Sequence, residues 1–452
     1  MLNYLLLLFN FLITLQSNDK LIFVMTHFRH GARAPSSLTE KVDKVGEIWE
    51  NSNALTGTGE RMLYILGLRN RIKYINENKF LSEKYNSSEL EVISSNSQRA
   101  VISLSSYLQG LYPQSEKAGK NLTESQLTKS DPPLDVDNPR IKQEKKELDN
   151  SALPNFMTLI PFQTIDLLGI NDCLRASLIS GGPNSPYNLS IFNLLEEYRE
   201  NYEYIGQFKV NTSKYPLKNI YDLCDSFVSS YTDGRNMDII RNKGVNIEKF
   251  YDYCLRVFNV VYGEIIIYGN MGNETVYIQA SYFMELLVNY SKSKIEEDMA
   301  EKNVNNSKKS SISQKMLILS GHDMTVSEQE LFLIFAFNKT LDLYRYPTFG
   351  AQLSFEITRK DDNKNKRQYS DYFINYYFNN ELLLNMTVEE FLNKVEPHIW
   401  PNEKINLVCS TKGNTTDINN KDVVINKNLL YVFTSVFAIS LLMNILNIFK
   451  IT

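Results

Sequence analysis

Histidine is scarce in this chain: its 452 residues hold four, His27, His30, His322 and His398. Cysteine is equally scarce, at Cys173, Cys224, Cys254 and Cys409. No grouping of His, Cys and carboxylate has the spacing of a metal centre, and neither a metal nor a cofactor is expected. A basic surplus is missing as well. The formal net charge is −4, which leaves nothing spare for a phosphodiester backbone and argues against a general nucleic-acid binder. Any positive site must therefore be local. No internal repeat is visible.

What the chain does have is length and apolar content. At 452 residues and 43% hydrophobic composition it is too long for one small core, and one large or two interleaved domains are expected. Residues 1–17 contain an uncharged run from Leu5 to Leu15 that reads as the core of a signal peptide cut near Ser17. Leu429 to Phe449 is again uncharged, long enough to cross a bilayer, and followed by Lys450. A single type I span is favoured there. The competing reading is a glycolipid-anchor signal, with small residues near Ser410 to Asn414. Sequons from Asn86 to Asn414 agree with export to the secretory pathway, to a lysosome-like or cell-surface membrane. In that oxidising setting the four cysteines allow two bridges in three pairings.

The densest chemistry lies in Thr26-His27-Phe28-Arg29-His30-Gly31-Ala32-Arg33-Ala34-Pro35, straight after the apolar strand candidate Leu21–Met25. A histidine between two arginines suits work on phosphate: imidazole attacks phosphorus and guanidinium forks hold the oxygens. Gly31 is expected to let backbone N–H groups approach the anion. A second strand, Glu89 to Ser94, runs through a polar turn into Arg99 and a helix from Ala100 to Gly110. A third, Met316 to Leu319, ends at Ser320-Gly321-His322-Asp323. In α/β sheets, ligands collect at such strand ends.

Between these lie a helix opened by Leu55-Thr56-Gly57-Thr58-Gly59, with Thr58 as its expected cap, and with Arg61, Arg69, Arg71 and Lys73 on a solvated face. Residues Gln114 to Asn150 read as a polar loop insertion. Helical spacing marks Ile191–Tyr204, Asn219–Ser229, Asn246–Tyr262 and Val276–Ser291, with Glu296–Gln314 as a surface loop. Strands are expected again over Ala351–Ile357 and Tyr372–Phe378, and a capping box at Thr387 to Glu390 opens the last helix.

These pieces assemble into one chemical scheme. His30 attacks phosphorus to form a phosphohistidine. Arg29, Arg33 and Arg99 neutralise the non-bridging oxygens, doing the electrostatic work that a metal ion does elsewhere. His322 donates to a phosphate oxygen. Asp323 protonates the leaving alkoxide and then takes a proton from water. His27 and His398 receive no role.

The sequence resembles the histidine acid phosphatases, the larger branch of the RHG histidine phosphatase superfamily. The likeness rests on Arg29 to Pro35, on Leu55 to Gly59, on Ser94 to Arg99 running into Gly110-Leu111-Tyr112-Pro113, and on His322-Asp323 followed by Tyr346-Pro347 and Phe355-Glu356. It covers residues 20 to 410. The resemblance implies a three-layer α/β/α sandwich around a central, mostly parallel sheet, as in phosphoglycerate mutase, with an inserted, mainly helical cap. It implies His30 as nucleophile and Asp323 as proton donor. It also implies that Cys173 pairs with Cys409, which leaves Cys224 with Cys254. Residues 18–113 and 263–410 then form the core, 114–262 the insert and cap, and 411–428 a linker to the span at 429–449.

Ala32, Gly321 and Met324 depart from the family pattern without removing a catalytic group. By resemblance, the His-Asp pair is similar to that of broad acid phosphatases and some phytases rather than inositol-polyphosphate phosphatases, and no basic run stands out from Asn150 to Tyr262 to suit a phytase cleft, so a broad phosphatase of small-molecule phosphate monoesters is expected. A phytase and a phospholipid phosphatase are the alternatives. A non-catalytic glycoprotein would show a lost nucleophile, and none is lost. An acid optimum follows from the need for a protonated Asp323.

Overall fold

The structure, a computed structural model, describes residues 19–36, 49, 51–114, 120–133, 137–167, 216–242, 244–264, 273–300, 314–338, 344–360 and 367–410. Both apolar end segments, the candidate helix 191–204 and Cys173 lie outside these. Among the described residues no helix is long and apolar enough to cross a membrane. The described residues up to Ile405 form one compact unit, and those from Asn406 belong to a second.

Strand β1 (Lys20–Arg29) runs beyond its apolar core into the motif itself. Helix α1 (Gly57–Arg71) follows, capped by Thr56 rather than Thr58: the Thr56 side chain accepts from the Gly59 N–H. Strand β2 (Leu90–Ser95) leads into α2 (Gln98–Leu111). The short strand β3 (Gln163–Ile165) was not legible in the sequence. Helices α3 (Pro216–Thr232) and α4 (Ile247–Asn259) come next, then α5 (Asn273–Ala300), which takes in the start of the expected loop. Strand β4 (Met316–Gly321) feeds α6 (Asp323–Ala336). The antiparallel strands β5 (Gln352–Arg359), β6 (Tyr372–Phe378) and β7 (Glu381–Thr387) complete the sheet.

The seven strands lie in the order β3-β2-β4-β1-β5-β6-β7. From β3 to β1 all are parallel, and from β1 to β7 each pair is antiparallel. Period-two alternation along β1 serves both faces of the sheet. Val24 and Phe28 join Leu63, Leu104 and Tyr107 of α1 and α2 in one core. Phe23 and His27 face the other way, onto Tyr290 and Phe283 of α5 at ring distances of 5.2 and 5.1 Å. Helices thus cover both faces.

Helices α1 and α2 touch backbone to backbone. A Cβ on Gly67 would run into the Tyr107 carbonyl, and one on Gly110 into that of Tyr64. Arg61 and Arg69 stay exposed as expected, but Arg71 donates to the Leu111 carbonyl at 3.0 Å and Lys73 pairs with buried Glu356. The face read as solvated therefore holds two anchors. The polar insertion also departs from the loop reading. It holds a short helix Glu124–Leu127 with a Thr123–Gln126 capping box, and a helix Pro139–Leu148 with Asn138 as N-cap and proline in its first turn.

Candidate active site

Three parallel strands deliver the site. Arg29 at the end of β1 lies level with Gly321 of β4, and Ser94 of β2 lies level with Ser320. Their carboxyl ends therefore meet at one edge, where a parallel sheet holds its ligands. His30 donates its backbone N–H to Gly321 O at 3.0 Å, and Gly31 donates its own to Ser103 Oγ at 3.1 Å. These amides are consumed in holding the loop, so they do not serve as the anion donors expected of Gly31. The glycine is needed for another reason: a Cβ there would strike the backbone of Gly59, at the start of α1.

His30 is fully enclosed. Its Nδ1 lies 2.9 Å from the Gly31 carbonyl oxygen. A carbonyl only accepts, so Nδ1 carries the proton and Nε2 keeps its lone pair. Burial first, then Arg29, His322, Arg99 and Arg33, holds the ring well below the usual histidine range. The neutral, nucleophilic form is therefore the resting one.

The three predicted arginines converge on this ring. Arg29 pairs with Asp323 Oδ2 at 2.8 Å, donates to Pro347 O at 2.9 Å and lies 4.2 Å from the centre of the Phe349 ring. Arg33 grips Asp225 with both terminal nitrogens, at 2.8 and 3.3 Å. Arg99 donates to His322 Nδ1 at 3.2 Å, and burial followed by Arg33 lowers its pKa to about 10. Each of the three leaves a buried Nε–H without a partner among the described residues. Three guanidinium groups around one histidine, with donors to spare, suit an anion.

His322 and Asp323 lie at the N-terminus of α6. Because the guanidinium of Arg99 only donates, His322 Nδ1 accepts, and Nε2–H donates to Ser95 Oγ at 2.8 Å. The donor expected to reach phosphate is engaged with Ser95 in the resting site. Burial pushes the Asp323 carboxyl up, but Arg29, Arg33 and the Met324 N–H outweigh it, and the net shift is downward. Tyr346 donates to the same carboxylate at 3.3 Å. Asp323 is thus ionised at rest.

Two contributors escaped the sequence reading. Asp225 of helix α3 holds Arg33 and accepts from the Ser36 N–H and Oγ at 2.7 and 2.8 Å. Tyr346, quoted above only as part of a motif, bridges Arg29 and Asp323. His27 takes no part: it is buried beside Thr325 and Gln329, and burial lowers its pKa to about 3. The bridge expected between Cys224 and Cys254 is not formed. Both are buried free thiols in hydrogen-bonding contact, and burial pushes Cys254 up. Cys409 falls on a helix, Asn402–Ser410, but its expected partner lies outside the described residues. Among those residues no group of three or more His, Cys, Asp or Glu side chains is placed to hold a metal.

An α/β sheet that brings a neutral histidine and three arginines to one strand edge defines a protein that handles phosphate. The sequence model of the histidine phosphatase superfamily (branch 2) matches residues 42–379, and the chain belongs to that family. The match takes in Arg99, His322 and Asp323 and begins just after the His30 loop. Putative acid phosphatase 11 of Caenorhabditis elegans is 37% identical over 109 residues, which are 24% of this chain and 26% of that protein. The chain thus matches about a quarter of that relative's length. Among solved structures, apo phytase of Hafnia alvei is similar at 14% identity and a TM-score of 0.49, over 88% of this chain and 99% of that one. The multiple inositol polyphosphate phosphatase of Bifidobacterium longum, bound to inositol hexasulfate, is similar at 13% identity and a TM-score of 0.44, over 81% and 88%.

Proposed function

We propose that this protein is an acid phosphatase that hydrolyses phosphate monoesters through a phosphohistidine on His30. The observation that carries the reading is the state of His30: buried, neutral, its proton fixed on Nδ1, in the field of three arginines. In the first step Nε2 attacks phosphorus while Arg29, Arg33 and Arg99 neutralise the charge on the oxygens. The ester bond breaks, and Asp323 gives its proton to the departing alkoxide. Water then attacks the phosphohistidine, Asp323 takes the proton, and inorganic phosphate leaves with His30 regenerated.

Asp323 is an Arg29-paired carboxylate at rest, so its protonation needs a cause. A bound phosphate dianion supplies one. It draws Arg29 toward its own oxygens and adds negative charge beside the carboxyl, and both effects raise the Asp323 pKa. Acid pH completes the protonation, which accounts for an acid optimum. Trapping the enzyme with labelled substrate tests the scheme. Acid-labile label is expected on the wild type and none on His30→Ala, and label retained on the variant refutes it. The uncharged runs near residues 5–15 and 429–449 support a place in the secretory pathway, with the catalytic unit on the lumenal or outer face. Retention of activity in carbonate-washed membranes supports this, and its recovery in the wash refutes the anchor.

A further inference from the structure

A cavity of about 180 Å³ opens beside the catalytic groups. Its inner wall is Arg29, Tyr346 and Phe349, and its outer wall is formed by cap side chains, Val228 of α3 with Tyr251 and Leu255 of α4. Arg29 is the single charged residue among those lining it. The Tyr346 hydroxyl donates to Asp323, and the Phe349 ring lies 5.8 Å from His30. The cavity therefore adjoins the proton donor, which is the side on which a leaving group must lie.

Its walls are stiff. Tyr346 stacks on Tyr262 at 5.7 Å, and Tyr251 packs on Tyr231 at 4.5 Å. Its size matches an apolar cavity of roughly 150 Å³ that accommodates benzene. A ring entering it meets the aromatic side chains of Tyr251, Tyr346 and Phe349 and buries apolar surface against them, Val228 and Leu255. A polyphosphorylated ring meets the opposite situation, because beyond Arg29 the lining offers only neutral groups, such as Thr232 and Thr348, and no cation to pair each further phosphate.

We infer that this cavity is the leaving-group site, and that it selects phosphate monoesters whose alcohol carries a single planar, uncharged ring. The inference rests on the phosphatase reading and names its substrate class. The cap supplies the selection, through Tyr251 and Leu255, and the strand ends supply the chemistry.

Benzyl phosphate and ethyl phosphate isolate the effect, because both release a primary alcohol of similar basicity. The wild type is expected to show a kcat/KM for benzyl phosphate at least about tenfold above that for ethyl phosphate, the discrimination that burying a few apolar carbons supports. Tyr251→Ser and Leu255→Gln change two half-buried positions, and melting curves check that both fold. In each, the benzyl-to-ethyl ratio should fall toward one. A wild-type ratio near one, a ratio that neither substitution changes, or a higher kcat/KM on inositol hexakisphosphate than on benzyl phosphate overturns the inference while the phosphatase reading stands. Failure to turn over any of the three esters overturns the phosphatase reading itself.

Discussion

Asp225→Asn tests how helix α3 and the loop after β1 share a charge. Arg33 and Asp225 are 6% and 5% exposed, so solvent does little to screen them. Burial disfavours both ions, and each is held charged by the other: Arg33 is raised and Asp225 lowered from its ordinary value of 3.8. The asparagine keeps the volume but removes the charge and turns one acceptor into a donor facing Arg33 or Ser36. Removing one partner of a buried pair leaves an uncompensated ion and costs about 3–5 kcal/mol. In a chain of this size that lowers Tm by no more than about 2 °C per kcal/mol, roughly 6–10 °C in all. Inorganic phosphate should restore part of the loss, because its oxygens can take the place of the carboxylate on Arg33. If phosphate relieves only about 1.4 kcal/mol of the penalty, its inhibition constant falls tenfold.

Thermal melts with and without phosphate, together with competitive inhibition by phosphate, measure both effects. A variant as stable as the wild type, or one that binds phosphate no more tightly, would show that Asp225 does not neutralise Arg33. The pH dependence follows from the same pair. Asp225 has a folded pKa below 3.8, so its contribution is present above that value and is lost as pH falls below it. Melts between pH 4.5 and 7 should therefore show the full cost of the substitution.

Three further outcomes follow. Asp323→Asn should slow turnover of alkyl phosphates by about 10²–10⁴-fold, and that of nitrophenyl phosphate, which leaves without a proton, far less. Equal loss on both would remove Asp323 from the donor role. Nitrogen-15 NMR should find that the His30 ring does not titrate near 6.5, since burial and then Arg29 hold its pKa well below that value. The same shift makes the fold lose stability as pH drops below about 6.5, where the unfolded chain takes up a proton that the folded chain refuses. A His30 signal that moves near pH 6.5, assigned by its absence in His30→Ala, would contradict the neutral resting state. Gly321→Ala would drive a Cβ into the His27 ring and Thr325 Oγ1. Its cost in kcat should shrink in a His27→Ala background, with a coupling of about 0.5–3 kcal/mol, and strict additivity would rule out the contact.

The groups legible in the sequence are those that a single strand end delivers. Arg29, His30, Arg99, His322 and Asp323 each follow an apolar run, and parallel pairing obliges those run ends to meet, so local pattern and topology sufficed. Asp225 carried no such sign. It sits one residue after Cys224 in an ordinary amphipathic helix, and its role exists only because α3 comes down on Arg33. Tyr251 and Leu255 were hidden in the same way. The insert helices and β7 are a different case, because their signals were present. Asn138-Pro139 and Thr123-x-x-Gln126 are cap patterns, and Asn379-Asn380 takes positive φ at both positions, the turn that closes the β6–β7 hairpin. A reading that weighted apolar content over turn and cap chemistry passed over them. Gly321 joins the two cases. It stood out as a departure from the family pattern, but its reason was invisible until β1 lay beside β4. The room left by its missing Cβ is where His27 sits, against the Thr325 hydroxyl that accepts from the His322 N–H. The histidine without a catalytic role thus explains the glycine, because a side chain at 321 and the His27 ring cannot share that space.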